Sequence, residues 1–204
     1  ARMTEGVEVI RQLWAEEAVD HQGRFYKVDG LGTSLKPVQD PGPPIWIAAV
    51  AEPAIKRAAR IGDGWVILVT VSYSELQKQI PMYLRTVKEA GRPVPPEIPI
   101  TRELHIADQN ASAWDECRDG LNRKYGIYNS LGLNSSEGAS TSIEEFAQDR
   151  FFVGDKEAIK DEILRYNEGL GVNHFIMRIQ WPGHDHDTTM KCLRRLGEIV
   201  AEIN

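Results

Sequence analysis

The stretch from Ile45 to Val69, IWIAAVAEPAIKRAARIGDGWVILV, decides the fold, because it reads as a strand, a tight turn, a helix and the next strand. Ile45 to Ala49 is a short apolar run behind Pro43 and Pro44, and Pro53 sits where the first turn of a helix tolerates it. Ala54, Ile55, Ala58, Ala59 and Ile61 then recur at helical spacing. Gly62 stops the helix, and Asp63-Gly64 turns the chain into a second apolar run, Trp65 to Val69. Neither run alternates polar and apolar residues, as expected of parallel strands buried on both faces and joined by a helical crossover. This is the repeating unit of an α/β barrel.

Outward from this unit, Ile100 to Ala107 and His174 to Ile179 read as two further strands, four in all. Val7, Ile10, Leu13 and Trp14 mark one face of an opening amphipathic helix. Val19 to His21 and Arg24 to Val28, flanking Gln22-Gly23, predict a small hairpin. Ser74 to Ala90 reads as a helix with Ser74 as its N-cap, Gly91 as its stop and a kink or break at Pro81. Ala111 to Tyr128 is helical, with Trp114, Leu121 and Tyr125 on a common side. Asp155 caps another helix carrying Ile159, Ile163, Leu164 and Tyr166 and ending at Gly169 and Gly171, and Leu193, Leu196, Ile199 and Val200 lie on a closing helix. The chain is read as one domain, 1–204. Within it 129–150 is a mobile insertion, because Asn129 to Thr141 is rich in Ser, Asn and Gly.

The 204 residues are 42% hydrophobic and 26% charged, the balance of a soluble globular protein. No apolar run nears the ~20 residues that span a bilayer, and no signal pattern opens the chain, so a cytoplasmic protein with no membrane partner is expected. A net charge of -6 with scattered Lys and Arg argues against nucleic acid. Cys117 and Cys192, with no metal-ligand partners nearby, read as buried thiols.

Several segments in order carry a family resemblance: EGVEVIRQLW from Glu5, HQGRFYKVDG from His21, KPVQ from Lys36 followed by PPIWIA from Pro43, TRELHIAD from Thr101, DRFFVGDKEAIKDEILRY from Asp149 and RIQWPG from Arg178. Together they resemble the luciferase-like flavin-dependent oxidoreductases, the family of bacterial luciferase, alkane monooxygenases and deazaflavin-dependent dehydrogenases. The resemblance implies a TIM (β/α)8 barrel of which the four strands form the second half, the opening helix following the fourth barrel strand. A barrel of eight strands usually takes about 250 residues, so the chain is expected to be a fragment. The rest then comes from another polypeptide, from pairing of copies, or from a longer natural sequence. In the family an insertion placed like 129–150 can lie over the active site, which makes a lid one reading of it and a tolerated surface insertion the other.

Active sites of such barrels lie at the C-terminal ends of the strands. There, Ala49, Val50, Ala51 and Ala54 let the backbone approach a phosphate at a helix N-terminus. The resemblance makes that phosphate part of FMN or of the deazaflavin F420. Family members often carry hydroxyl residues where Ala51 and Ala54 stand, Pro53 lacks an N–H, and Glu52 adds negative charge. After the last strand, Gln180 offers a hydrogen bond to a substrate and Trp181 a ring to stack on it, a structural Trp being the other reading. His184-Asp185-His186-Asp187 reads as a solvated loop rather than a metal site. His105 and His174 read as hydrogen-bonded core histidines, and of Arg102 and Glu103, on opposite faces of their strand, one is expected to face inward and need a partner. No Ser/His/Asp elbow, Walker loop or GxGxxG occurs, which suits chemistry carried by a cofactor.

The resemblance implies a monooxygenase using reduced FMN and oxygen on a small organic substrate. The alternatives are an F420-dependent dehydrogenase or reductase and a non-catalytic half-barrel that binds flavin or self-associates. Several residues that choose between the two chemistries would lie on the first strands of the barrel, so no catalytic residue is assigned.

Overall fold

The computed structural model describes residues 1–132 and 142–203. They divide into two compact units, Ala1–Trp65 with Tyr83–Pro95, and Val66–Met82 with the chain from Pro96 onward.

The first unit begins with α1 (Arg2–Ala15), which buries Val7 and Val9. A hairpin follows, β1 (Val19–Gln22) antiparallel to β2 (Lys27–Leu31), but its turn is Gly23 to Tyr26 rather than Gln22-Gly23, because Gln22 pairs with Lys27 and the Gly23 N–H donates to the Tyr26 carbonyl. Its turn is pinned from α1: one Glu5 carboxylate oxygen accepts the N–H groups of Phe25 at 2.9 Å and Tyr26 at 2.7 Å. β3 (Trp46–Ala48) leads into α2 (Glu52–Ile61) and on to β4 (Gly64–Val66), its hydrogen-bonded neighbour. α2 buries Ile55, Ala58 and Ala59, the stripe read from the sequence. Gly62 closes the helix with an extended backbone. It is glycine because a Cβ would press on the Ala58 carbonyl and the Ile47 side chain, each 3.0 Å away. Asp63 then ties the unit together, accepting from Arg11 at 2.7 Å, Ile45 N–H at 2.8 Å and Arg92 at 3.0 Å.

The second unit is built around β5 (Pro99–Ile106), hydrogen-bonded in parallel to β6 (Phe152–Gly154) on one side and β7 (His174–Arg178) on the other. A parallel bridge from Ile67 to Ile100 joins the residue after β4 to β5. β6 was not foreseen: three residues between a Phe-rich run and a helix cap are too short to show a period. α3 (Tyr73–Glu89) runs through Pro81 without a break. Its cap is Ser72 rather than Ser74: Ser72 Oγ accepts the Glu75 N–H, and the Glu75 carboxylate accepts the Ser72 N–H at 2.8 Å, a reciprocal box at the Ser-x-x-Glu spacing.

α4 (Ala113–Ser130), α5 (Ile143–Ala147), α6 (Lys156–Leu170) and α7 (His186–Ile203) complete the unit. Asp155 caps α6 through the Ala158 N–H, and Gly171 ends it in the left-handed region at φ 69°. Of the segment read as an insertion, 133–141 lies outside the described residues. From Ser142 the chain is well anchored: Ser142 and Glu145 form a second capping box, and Ile143, Phe146 and Ala147 are buried with Leu121, Tyr125, Phe151 and Trp181. Cys117 and Cys192 are free and buried, and burial pushes the Cys117 thiol up to about 12. No helix among the described residues is long and apolar enough to cross a membrane.

Candidate functional site

Each unit presents one candidate. In the first, the turn from Ala49 to Ala54 is held from below: Ala49 is buried and its carbonyl accepts the Trp65 indole N–H at 2.9 Å. Val50 is exposed, and Ala51 is the N-cap residue of α2. The Ala51 carbonyl accepts from the N–H groups of Ala54 at 2.9 Å and Ile55 at 3.0 Å. With Pro53 lacking a donor, the turn can offer an anion the N–H groups of Ala51 and Glu52 and little else. The Glu52 side chain is held below its ordinary value by Lys56, with which it pairs along the helix.

In the second unit the site lies along one face of β5. Strand alternation sends Glu103 and His105 to one side and Arg102 to the other, and all three are fully buried. The expectation that one of Arg102 and Glu103 would need a buried partner is thereby doubled. Arg102 donates to the carbonyls of Leu68, Thr101 and Val71 at 3.3, 3.0 and 2.9 Å and to the Tyr166 hydroxyl at 3.3 Å. It thus fixes the turn after β4, to which Arg150 adds a bond to the Thr70 carbonyl at 2.9 Å. This turn, a candidate by position, is occupied by structural guanidinium contacts.

Glu103 meets α4. Its two carboxylate oxygens accept from Lys124 Nζ at 2.8 Å each, one of them also from the Tyr125 hydroxyl at 3.0 Å, and the Arg178 guanidinium stands 3.4 Å away. Burial lowers the Lys124 ammonium, Glu103 opposes that, and burial raises the Tyr125 phenol. Arg178 in turn donates to the Tyr128 hydroxyl at 2.8 Å. Beside this cluster opens a cleft of about 480 Å³, walled by Lys124, Tyr128, Arg178, Gln180, Trp181 and Pro182.

Gln180 is exposed at the rim. Trp181 is 5% exposed; it belongs to the buried core, and the same ring lies under Lys124 Nζ at 5.8 Å. In the loop beyond it Asp185, His186 and Asp187 are exposed, as the solvated reading has it, and only His184 departs from that reading. His184 stacks on Trp181 with ring centroids 4.9 Å apart and 8° between planes, and lies 5.4 Å from the His105 ring. Asp185 caps α7 through the Thr188 N–H and hydroxyl. His186 and Asp187 are simply the first residues of that helix. His105 is a core histidine hydrogen-bonded to Glu116 at 3.0 Å, and burial holds its imidazole below the ordinary value. His105 Nδ1, Trp181 Nε1 and both His184 nitrogens are buried without a partner among the described residues. No group of His, Cys, Asp and Glu among those residues is placed to hold a metal.

The sequence reading missed Lys124, Tyr128 and Arg178. Lys124 and Tyr128 sit four apart on α4, a spacing that shares a helix face, but nothing local links them to Glu103 and Arg178 on two strands.

Residues 1–174 match the family described as luciferase-like monooxygenase. The chain belongs to that family. An F420-dependent glucose-6-phosphate dehydrogenase of Nocardia farcinica is 28% identical over 96% of the chain, and one of Rhodococcus jostii is 28% identical over the same share. The chain spans 59% of the length of each, about three fifths. Among solved structures, the monooxygenase RslO1 of Streptomyces bottropensis superposes with a TM-score of 0.81 at 21% identity, covering 98% of this chain and 60% of that one. An F420-dependent secondary alcohol dehydrogenase bound to an F420-acetone adduct gives 0.75 at 20% identity, with 97% and 60% covered. These likenesses give the α/β fold of luciferase-like barrels, of which this family member covers a part.

Proposed function

We propose that this luciferase-like chain is part of an oxidoreductase that uses the deazaflavin F420 to move a hydride to or from a small organic substrate. The observation that carries the reading is the 28% identity, spread over 96% of the chain, with F420-dependent glucose-6-phosphate dehydrogenases. The family resemblance alone put reduced FMN first and F420 second. Relatedness across nearly the whole chain supports the opposite order.

A monooxygenase using reduced FMN is the second reading, favoured by the fold likeness to RslO1 and to an FMN-bound Baeyer-Villiger monooxygenase at a TM-score of 0.72. In either case the chain supplies the second half of a barrel. The outer edge of β7 has no strand beside it among the described residues, and every β7 side chain is only half-buried. A strand with an open, apolar edge suits one that continues into a larger sheet, completed by further barrel strands or by a second copy.

The residues present fit a cofactor phosphate through backbone donors alone. Ala51 and Glu52 N–H groups would face it, the small side chains of Ala49 and Ala51 would let it come close, and the Trp65 bond to Ala49 would keep the turn rigid. F420, when bound, would supply the hydride chemistry, and the protein binding and orientation.

Parallel binding titrations with F420 and with FMN test the reading. Binding of F420 at least about tenfold tighter than FMN, a difference of about 1.4 kcal/mol, is the expected result. Preference for FMN overturns it in favour of the monooxygenase.

A further inference from the structure

We propose that the loop from Pro182 to Asp185 is a pH-sensitive latch: the His184 ring, packed on Trp181 and His105, holds the loop in place, and uptake of a proton by His105 releases it. The device is independent of the redox reading above.

The hold is a single side chain. Of residues 182–187 only His184 is not exposed. Its ring lies flat on Trp181 with 4.9 Å between centroids and edge-on to His105 at 5.4 Å, and His105 and Trp181 close the triangle at 6.5 Å. Within the triangle four nitrogens, His105 Nδ1, Trp181 Nε1 and both of His184, are buried without a hydrogen-bond partner among the described residues. The three side chains therefore meet through ring contact alone, and a charge placed on one of them changes the hold. Gly183, at φ 87°, gives the loop a point at which to turn.

The place of the proton is fixed by Glu116. Its carboxylate, 3.0 Å from His105 Nε2, only accepts, so in the neutral ring Nε2 carries the hydrogen and Nδ1 is a bare acceptor. A second proton must go to Nδ1, where the new N–H has no acceptor. The charge it brings is poorly supported as well. Glu116 on α4 favours it, while His184 on the loop and Arg195 on α7 oppose it, and β6 alongside carries no titratable group. Glu103, two residues along β5, is engaged by Lys124 and Arg178. Lys124 also lies over the Trp181 ring at 5.8 Å, and the Arg123 guanidinium stands beside Gly183.

His105 itself is held in the middle of the sheet, its side chain 1% exposed, and cannot carry the charge out to water. His184, on a loop, can move. When it turns away, water reaches Nδ1 and solvates the new N–H. The closed loop disfavours the proton, so by linkage the proton disfavours the closed loop by the same factor.

The test follows the indole N–H resonance of Trp181, assigned by Trp181→Phe, from pH 8 to pH 5 in the whole protein without denaturant. Loss of the stacked imidazole moves that resonance. The Trp65 indole, bonded to the Ala49 carbonyl at 2.9 Å in the first unit, reports global unfolding. The Trp181 resonance is expected to step with a midpoint below about pH 6.5 while that of Trp65 stays. His105→Gln, which keeps a donor for Glu116 but takes up no proton, should abolish the step. Glu116→Gln should lower its midpoint by roughly one pH unit, and His184→Ala should put the resonance near its acid position already at pH 8. A Trp181 resonance that is constant over this range, that moves only together with Trp65, or that still steps in His105→Gln overturns the proposal. If His105→Gln fails to fold, Glu116→Gln decides: a lowered midpoint supports the latch and an unmoved one overturns it.

Discussion

Two glycines of α4 predict stability changes of opposite sign. Alanine is favoured over glycine in a helix interior by about 0.8–1 kcal/mol, so propensity alone makes Gly120→Ala and Gly126→Ala equally stabilising. A Cβ at Gly126 meets nothing within 4 Å, and the full gain is expected there. A Cβ at Gly120 runs into the Trp181 indole at Cδ1 and Nε1. The ring has little freedom to retreat, being 5% exposed and stacked on His184. Overpacking of this kind costs ~1–3 kcal/mol, which turns the gain at Gly120 into a net change between about zero and 2 kcal/mol destabilising. The two variants should therefore separate by ~1–3 kcal/mol. At a urea dependence of about 2 kcal/mol per molar, that is a gap of roughly 0.5–1.5 M between midpoints. Urea unfolding followed by far-ultraviolet circular dichroism measures it, and the Trp181 indole resonance gives an independent readout that should move in Gly120→Ala and stay in Gly126→Ala. Equal stabilisation by both substitutions would refute the packing of Trp181 against α4, and with it the wall of the cleft.

Lys124→Met should destabilise by about 3 kcal/mol in urea unfolding, the low end for stripping one partner from a buried pair, because Tyr125 and Arg178 still face Glu103. The double variant Lys124→Met, Glu103→Gln should recover part of that loss. His105, held below its ordinary value by burial against the pull of Glu116, takes up protons more readily when unfolded. Its contribution is complete above about pH 6.5 and is lost as the pH falls below it, so His105→Gln should flatten the urea midpoint between pH 7 and 5. Burial pushes the Asp63 carboxyl up, but the Ile45 N–H, Arg11 and Arg92 outweigh it and hold the group below its ordinary value. Its contribution is present above about pH 4 and fades below. Asp63→Asn should cost about 1 kcal/mol at pH 7, small because the side chain is a third exposed, and nothing more as the pH drops toward 3.

What the sequence disclosed followed its local chemistry. The strand-helix-strand unit from Ile45, the Asp155 cap and the long strand through Glu103 were all legible, and so was the hairpin after α1 apart from its turn, because apolar period, turn residues and caps act within a few positions of one another. β6 was too short for a period. α5 hid behind the Ser- and Asn-rich tract, although Ser142-x-x-Glu145 was a readable capping box, as was Ser72-x-x-Glu75 for α3. The buried charges were the real gap. Glu103, Lys124 and Arg178 come from a strand, a helix and another strand, and only the tertiary fold brings the two cations within 4 Å of the carboxylate. Trp181 was singled out for its place after the last strand, and its stacking on His184 could be learned only from the coordinates.

The reaction itself tests the central claim most directly, through anaerobic mixing of the protein with F420 and candidate organic substrates, including carboxylate- and phosphate-bearing ones, while the deazaflavin absorbance is followed. Loss of that absorbance without oxygen is the result the account predicts. Absence of any such change, together with oxygen consumption when reduced FMN is supplied, would contradict it.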